Sequence, residues 1–481
     1  MRDAAALNKR CPSCGRLLRG DSLRCGYCLT EVRDVPADAA APLAQAGAEP
    51  APPPRLAASA WRRFRAVPSW LLLLAAAVLI VGGWYAYQSL KPERTLALPA
   101  SAARTLPSGP EVWAAPGGDA GNTRSTAARF DPSRASVAWQ TDLGVTVSGE
   151  PVADSEHLYV ATVDNRVLAL RLRDGSPAWT FEAAVPIGES PLVDAGRVIV
   201  TTRRGDVVSL EAATGAVVWE SRLETNFYNA ASLSDGVVYA FGARHEVFGL
   251  SAEDGTRLWA IGTGSDWATE PALILPRSVV VATADRVKLY DRVHGSLTLE
   301  YPHGRVIGLA QAEDHLISVS ANFIAGVDPS ARLPWWWGAR GVWFDLWVWG
   351  LAPEPPRAGL RWLHDLRPTA QGPQASIPEV FPPALGGGLA VVATDQGVVR
   401  AFDIRTGEER WRIETDAVTG PPVITPDGLL VPARDAVALH SLDDGAERAR
   451  VGLTAATRRS LVVTSNGAFL VDRQGRITGV R

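Results

Sequence analysis

Four glycines, Gly175, Gly215, Gly255 and Gly295, stand 40 residues apart, and the same phrase surrounds each of them. Ala169-Leu170 … Asp174-Gly175 … Trp179 becomes Ser209-Leu210 … Thr214-Gly215 … Trp219, then Gly249-Leu250 … Asp254-Gly255 … Trp259. A fourth copy, Leu289 … His294-Gly295 … Leu299, carries leucine where the others carry tryptophan. The register returns at Ala401-Phe402-Asp403 … Thr406-Gly407 … Trp411, and more weakly at Leu439 … Asp444-Gly445 … Ala449. A strand-rich repeat of about 40 residues predicts an all-β fold, a β-propeller with one four-stranded sheet per blade.

Each unit has a physical reading. An alternating apolar run such as Leu158-Tyr159-Val160-Ala161 leads into a polar turn, Asp164-Asn165, and a second run, Val167-Leu168-Ala169-Leu170, follows. Glycine then supplies the positive φ of a tight turn. The last strand brings a tryptophan, expected to wedge between neighbouring blades, and the residue ten positions earlier is small (Ala169, Ser209, Gly249, Ala401), leaving room for the ring. This wording resembles the PQQ-like, quinoprotein-type propeller repeat, and Trp113 … Gly117-Gly118-Asp119 … Asn122-Thr123 resembles its lead-in segment. The resemblance spans residues 111–481; kelch and WD40 signatures do not recur. Repeat positions run Trp139, Trp179, Trp219, Trp259, Leu299, Trp336 (by the register of Asp328), Trp411, Ala449 and Val480. They predict eight blades, with seven as the alternative, and ring closure by the strand around Ala138-Trp139.

The four cysteines all precede the propeller, as Cys11-Pro-Ser-Cys14 and Cys25-Gly-Tyr-Cys28. Two CxxC pairs predict a Zn²⁺-binding ribbon over residues 8–32, whose folding energy would come from the metal. Two disulfides or a redox pair are the weaker alternatives for a cytosolic segment. Residues 33–60 form an Ala/Pro-rich linker. No charged residue occurs from Ala66 to Leu90, a run long enough for a transmembrane helix, with Trp61 and Trp70 on one side and Trp84, Tyr85 and Tyr87 on the other as interfacial belts. Arg55, Arg62, Arg63 and Arg65 before the run outnumber Lys91 and Arg94 after it, which predicts a cytoplasmic N-terminus and a periplasmic propeller at a bacterial inner membrane. A cleaved signal peptide ending near Ala100-Ser101-Ala102 is disfavoured by the long region before the run. Residues 91–110 read as a second linker. A net charge of −3 gives no reason to expect a nucleic-acid partner.

Residues 335–349 hold six of the 17 tryptophans, Trp335, Trp336, Trp337, Trp343, Trp347 and Trp349, inside an oversized repeat interval, an insertion near 333–362. Two readings stand: propeller core or channel cap, and a projecting element that touches a protein partner or the membrane. The resemblance raises the question of catalysis, since PQQ-dependent dehydrogenases share the repeat. This propeller has no cysteine for their adjacent-cysteine disulfide and no CxxCH haem site; Glu189, Asn226 and Glu270 are candidate calcium ligands among many, and the seven histidines are scattered. PQQ is not expected. The family's non-catalytic branch includes a propeller lipoprotein of the outer-membrane barrel assembly machinery, similar to this chain in the propeller only. The expected role is therefore a non-enzymatic scaffold for envelope proteins. A PQQ-dependent oxidoreductase of reduced design and a sensor signalling to the ribbon are the alternatives.

Overall fold

The computed structural model describes residues 8–11, 17–19, 24, 31, 75–80, 82–83, 95–97 and 105–481, the last without 195, 264–267, 335–336, 338–339, 354–357, 368–377 and 455–457. The chain divides into two compact units: residues 1–94 with 338–355, and residues 95–337 with 356–481.

The second unit is a propeller of eight four-stranded antiparallel sheets. The first blade runs through strands Val152–Ala153, His157–Ala161, Arg166–Arg171 and Pro177–Glu182 in simple meander order. The eighth takes three strands from the C-terminus, Arg459–Thr464, Gly467–Asp472 and Arg476–Val480, and its fourth, Val137–Asp142, from the N-terminal side. Trp139 pairs there with Gly479, so the ring closes as expected from Ala138-Trp139, and the C-terminal strand is paired along both edges.

Burial explains the strand wording. The second and third strands of each blade lie between neighbouring sheets and are covered on both faces, so Val237–Gly242 is buried at every position and reads as a continuous apolar run. The fourth strand faces solvent on one side, and Glu409–Glu414 accordingly mixes charges with Trp411. The core lies between blades: Tyr159, Val167 and Ala169 of the first pack with Val198, Val200 and Val208 of the second.

The tryptophan and its small partner are direct cross-strand neighbours. Ala169 faces Trp179, Ser209 faces Trp219, Gly249 faces Trp259 and Ala401 faces Trp411, each beside a bulge in the ladder. The indole then crosses to the next blade. Trp179 Nε1 donates to the Ala212 carbonyl at 2.8 Å, and Gly215 (φ 74°) leaves so little space that a Cβ would fall 2.6 Å from the ring. Trp139, Trp219 and Trp411 repeat the bond to Leu172, Ala252 and Leu442.

One register expectation is corrected. The tryptophan of the fifth blade is Trp362, on strand Leu360–Asp365 opposite Gly326, and not Trp336. The Asp328 amide donates to the Gly359 carbonyl at 2.8 Å, so the turn begins as in other blades, but residues 329–358 are spliced into it. The insertion contains the helix Arg340–Val348.

The propeller's packing reaches back beyond residue 111. Leu96 is buried, and its amide donates to the Val293 carbonyl at 2.6 Å. The apolar run 66–90 lies mostly outside the described residues; residues 75–80 and 82–83 are helical, and no described helix is long and apolar enough to cross a membrane.

Candidate functional site

The lead-in segment seals one end of the central channel. Asp119 organises it: its carboxylate accepts from the Gly121 and Thr123 amides and from the Thr123 hydroxyl. Gly118 (φ 93°) lies against the fully buried Trp113 ring. From this turn the backbone bonds to inner strands on both sides of the ring. Trp113 pairs with Ala153, and the Ala114 carbonyl accepts from Val193. Across the axis, the carbonyls of Gly121, Thr123 and Arg124 accept from Gln311, Leu385 and Ile424 of the fifth, sixth and seventh blades. Channel-end amides that would otherwise be left without partners are satisfied in this way.

Above this floor lies a funnel of about 590 Å³, open towards the turns that join the second and third strands. Pro116, Asn122 and Arg124 line it from below. Charged residues of both signs line it. Glu150, Glu189 and Glu270 come from the short segments preceding the inner strands of the first, second and fourth blades. Arg458, Arg459 and Arg473 come from the eighth. Arg124 Nη2 meets Glu150 Oε1 at 2.5 Å, and the Gly117 amide donates to Glu150 Oε2. Arg458 is paired with Glu379.

The Glu189 and Glu270 carboxyls have no hydrogen-bond or ion-pair partner among the described residues, and their surroundings disfavour charge. Burial, then the Glu150 carboxylate, push the Glu189 carboxyl up to about 7, with Arg203 opposing. Burial, then Glu189 and Glu150, hold the Glu270 carboxyl well above the usual range, against the opposing charges of Arg124 and Arg305. In the eighth blade Arg459 is 6% exposed; its Nη2 bonds to the Arg434 and Thr454 carbonyls, while Nη1 has no partner. The hydroxyl of Ser148, beside Glu150, is likewise buried without a partner. Lining the funnel are one aromatic ring, Phe381, and no cysteine. No three His, Cys, Asp or Glu groups among the described residues are placed to hold a metal ion.

Of the three candidate calcium ligands, Glu189 and Glu270 share this funnel. Asn226 does not; it lies in a separate depression with Arg204, Arg222 and Arg244. The sequence motifs do not single out Glu150 or Arg124. Glu150-Pro151, Ser190-Pro191 and Glu270-Pro271 stand at multiples of 40 residues, and this register marks a channel-facing position that the turn glycines overshadow.

The first unit contains the four cysteines and three of the six clustered tryptophans. Strands Asn8–Arg10 and Leu17–Arg19 pair antiparallel, with Arg10 opposite Leu17, so the first CxxC pair occupies their connection. Arg24 bridges Glu31 around the second. Cys11 is buried; Cys14, Cys25 and Cys28 lie outside the described residues. On the insertion helix, Trp347 is buried beside Phe344, and the Arg24 guanidinium sits over its ring at 5.3 Å. Trp343 Nε1 donates to the Pro353 carbonyl at 2.9 Å, whereas Trp349 is 46% exposed. Trp337 belongs to the propeller unit, its amide bonded to the Pro334 carbonyl. Trp335 and Trp336 lie outside the described residues.

The family model described as outer membrane protein assembly factor BamB matches residues 106–191, 179–312 and 360–481. Among solved structures, BamB from Moraxella catarrhalis is similar at 20% identity and a TM-score of 0.51, covering 72% of this chain and 97% of that one. The quinohemoprotein alcohol dehydrogenase of Comamonas testosteroni is similar at 13% identity and a TM-score of 0.54, covering 77% and 80%. A computationally designed protein, Ika8, is similar at 12% identity and a TM-score of 0.55, covering 71% and 98%. No curated protein matches the chain. An assembly factor, an enzyme and a design share this fold, so the fold does not choose among functions.

Proposed function

This chain belongs to the family of the outer membrane protein assembly factor BamB, and on that premise we propose that it is a non-enzymatic propeller of the bacterial cell envelope that binds partner proteins. The observation that carries this reading is the sealed channel. The lead-in segment bonds to inner strands of five blades, which leaves one rigid, turn-lined face as a platform.

A quinone cofactor stacks on flat rings, and the single ring in the lining, Phe381, supports the reading without one. The antiparallel pairings around both CxxC segments support a structural zinc ribbon, with Cys11, Cys14, Cys25 and Cys28 as ligands. The uncharged run 66–90 supports a single span, with the ribbon in the cytoplasm and the propeller in the periplasm. Trp349, exposed just past the insertion helix, supports the insertion as a contact element.

One contact favours a second arrangement. Arg24 lies over Trp347, which requires the ribbon and the insertion to be on the same side of the membrane. Labelling of the cysteines in intact cells with a membrane-impermeant maleimide, after zinc removal, separates the two: protection supports the cytoplasmic ribbon, and labelling the second arrangement.

The functional reading is tested by calorimetric titration of the purified full chain with PQQ and Ca²⁺. Absence of binding is expected from a folded sample. One site of micromolar affinity would replace the scaffold reading with an oxidoreductase.

A further inference from the structure

We propose that the sealed end of the propeller rests on the periplasmic leaflet of the membrane, with Val342, Trp349 and Leu351 of the insertion seated among the lipids. The inference rests on the single-span reading above, with the run 66–90 across the membrane. It leaves the open face turned away from the lipid and presented to envelope partners.

The first observation is where the chain joins the ring. Val293 lies in the turn between the fourth blade's third and fourth strands, Arg286–Asp291 and Leu297–Pro302, and its carbonyl accepts from the Leu96 amide at 2.6 Å. The Leu96 side chain packs with Tyr239, Trp259 and Tyr290. Elsewhere the ring of Trp179 lies against Gly215 and that of Trp219 against Gly255, whereas Ile261 and Leu96 lie against Gly295. Trp259 Nε1 is correspondingly buried without a partner among the described residues. The incoming segment thus completes this junction. Leu96 stands six residues after Leu90, where the uncharged run ends. Even fully extended, that stretch holds the junction within about 20 Å of the point where the run leaves the membrane.

The second observation is what stands at the same end. The insertion is spliced into the corresponding turn of the adjacent fifth blade, and its Leu333 amide reaches back to the Thr298 carbonyl of the fourth. From Gly341 to Ala352 the only charged residue is Asp345. Within the first unit Val342, Trp349 and Leu351 remain exposed. Large apolar groups in water favour an apolar occupant, and tryptophan suits the lipid interface through its apolar body and polar N–H. Charge does not draw this end to anionic headgroups, since the carboxylates of Asp314 and Asp443 are exposed in turns there. The contact is therefore apolar. Lipid is favoured over a protein because Leu96 already ties this end within reach of the leaflet. The funnel opens at the opposite end, among the turns that join the second and third strands.

The test places photoreactive benzoylphenylalanine, one position at a time, in the full chain produced in bacterial cells. The positions are Trp349 and Leu351, Val78 in the uncharged run, and Arg204 in the second blade's turn on the open face. Mass spectrometry then sorts the adducts into lipid and protein. Lipid adducts at 349 and 351 should exceed those at 204 at least about tenfold, the occupancy that burying one such side chain sustains. Adducts at 349 and 351 to protein alone overturn the proposal and assign the insertion to a protein partner. Equal lipid yields at 349 and 204 overturn it as well, because neither end would then be seated. Position 78 separates this inference from its premise. Lipid adducts at 78 with none at 349 and 351 sink the inference and leave the span standing, whereas none at 78 removes both. The probe is itself aromatic and apolar, so it keeps the character of the patch, and a circular dichroism spectrum equal to the parent's secures the fold.

Discussion

Arg124 and Glu150 meet at 2.5 Å and join the segment that seals the channel floor to the first blade. The arginine side chain is 8% exposed and the glutamate 26%, so neither is freely solvated. Removing one partner strands the other beside further carboxyls. Arg124→Met should therefore destabilise the propeller by about 1–3 kcal/mol at neutral pH. Adding Glu150→Gln should recover part of that loss. Urea unfolding of the two variants checks both statements; an unchanged midpoint in Arg124→Met would show that the floor is held by its backbone bonds alone.

The inter-blade tryptophan makes one class of glycine more demanding than another. At Gly144 (φ 65°) an added Cβ would meet no atom within 4 Å, so Gly144→Ala should cost only the left-handed penalty of about 1 kcal/mol. Gly215→Ala also drives a methyl into the Trp179 ring and should cost about 2–4 kcal/mol. Thermal unfolding of the two variants gives the difference directly. Equal losses would mean that the ring has room to move.

Stability should depend on pH through the funnel. Glu189, at about 7 when folded, and Glu270, held well above the usual range by burial, keep protons that the unfolded chain releases in the ordinary carboxylate range. Their contribution is full below that range and is lost as pH rises through the folded values. His303 acts in the opposite sense: burial pulls it to about 4, so its contribution is present above 6.5 and is lost as pH falls. E189Q/E270Q leaves His303 untouched. The variant should match the parent near pH 4.5 and exceed it near pH 8 by an amount on the order of 2 kcal/mol. Parallel curves for the two proteins would show that the carboxyls are solvated.

Much of this architecture is legible in the sequence because one physical constraint repeats. Trp179, Trp219 and Trp411 each need a small neighbour across the ladder and a glycine in the next blade, and three coupled positions at a fixed period leave little freedom. The fifth blade hides its tryptophan because its period is broken between Asp328 and Gly359, where Trp336 falls near the expected place but Trp362 does the packing. The funnel is harder to see. Glu150, Glu189 and Glu270 are far apart in sequence and meet only because the ring brings segments from different blades to one axis. Arg124 arrives from a segment outside the repeat altogether.

The ribbon makes a direct prediction. If both CxxC segments supply thiolates, the purified full chain should carry one zinc ion, and Cys14→Ser or Cys25→Ser should lose it. Atomic absorption after gel filtration measures the ratio. Metal-free protein whose thiols appear only after reduction would assign two disulfides instead.

The insertion can be tested by removal. Its ends are held by the propeller itself: the Asp328 amide bonds to the Gly359 carbonyl, and the Leu333 amide to the Thr298 carbonyl at 2.8 Å. Trp362, which follows the splice, bonds through Nε1 to the Ile404 carbonyl at 2.8 Å and supplies the blade's inter-blade tryptophan. Replacing residues 335–356 by a short Gly/Ser linker should accordingly change propeller stability by less than about 1 kcal/mol. The same change removes exposed apolar groups, Val342 at 67%, Trp349 at 46% and Leu351 at 72%. Cross-links to envelope partners should then fall while the melting temperature holds. A melting temperature lowered by many degrees would instead assign these tryptophans to the propeller's core, because only buried rings carry that much of the fold's stability.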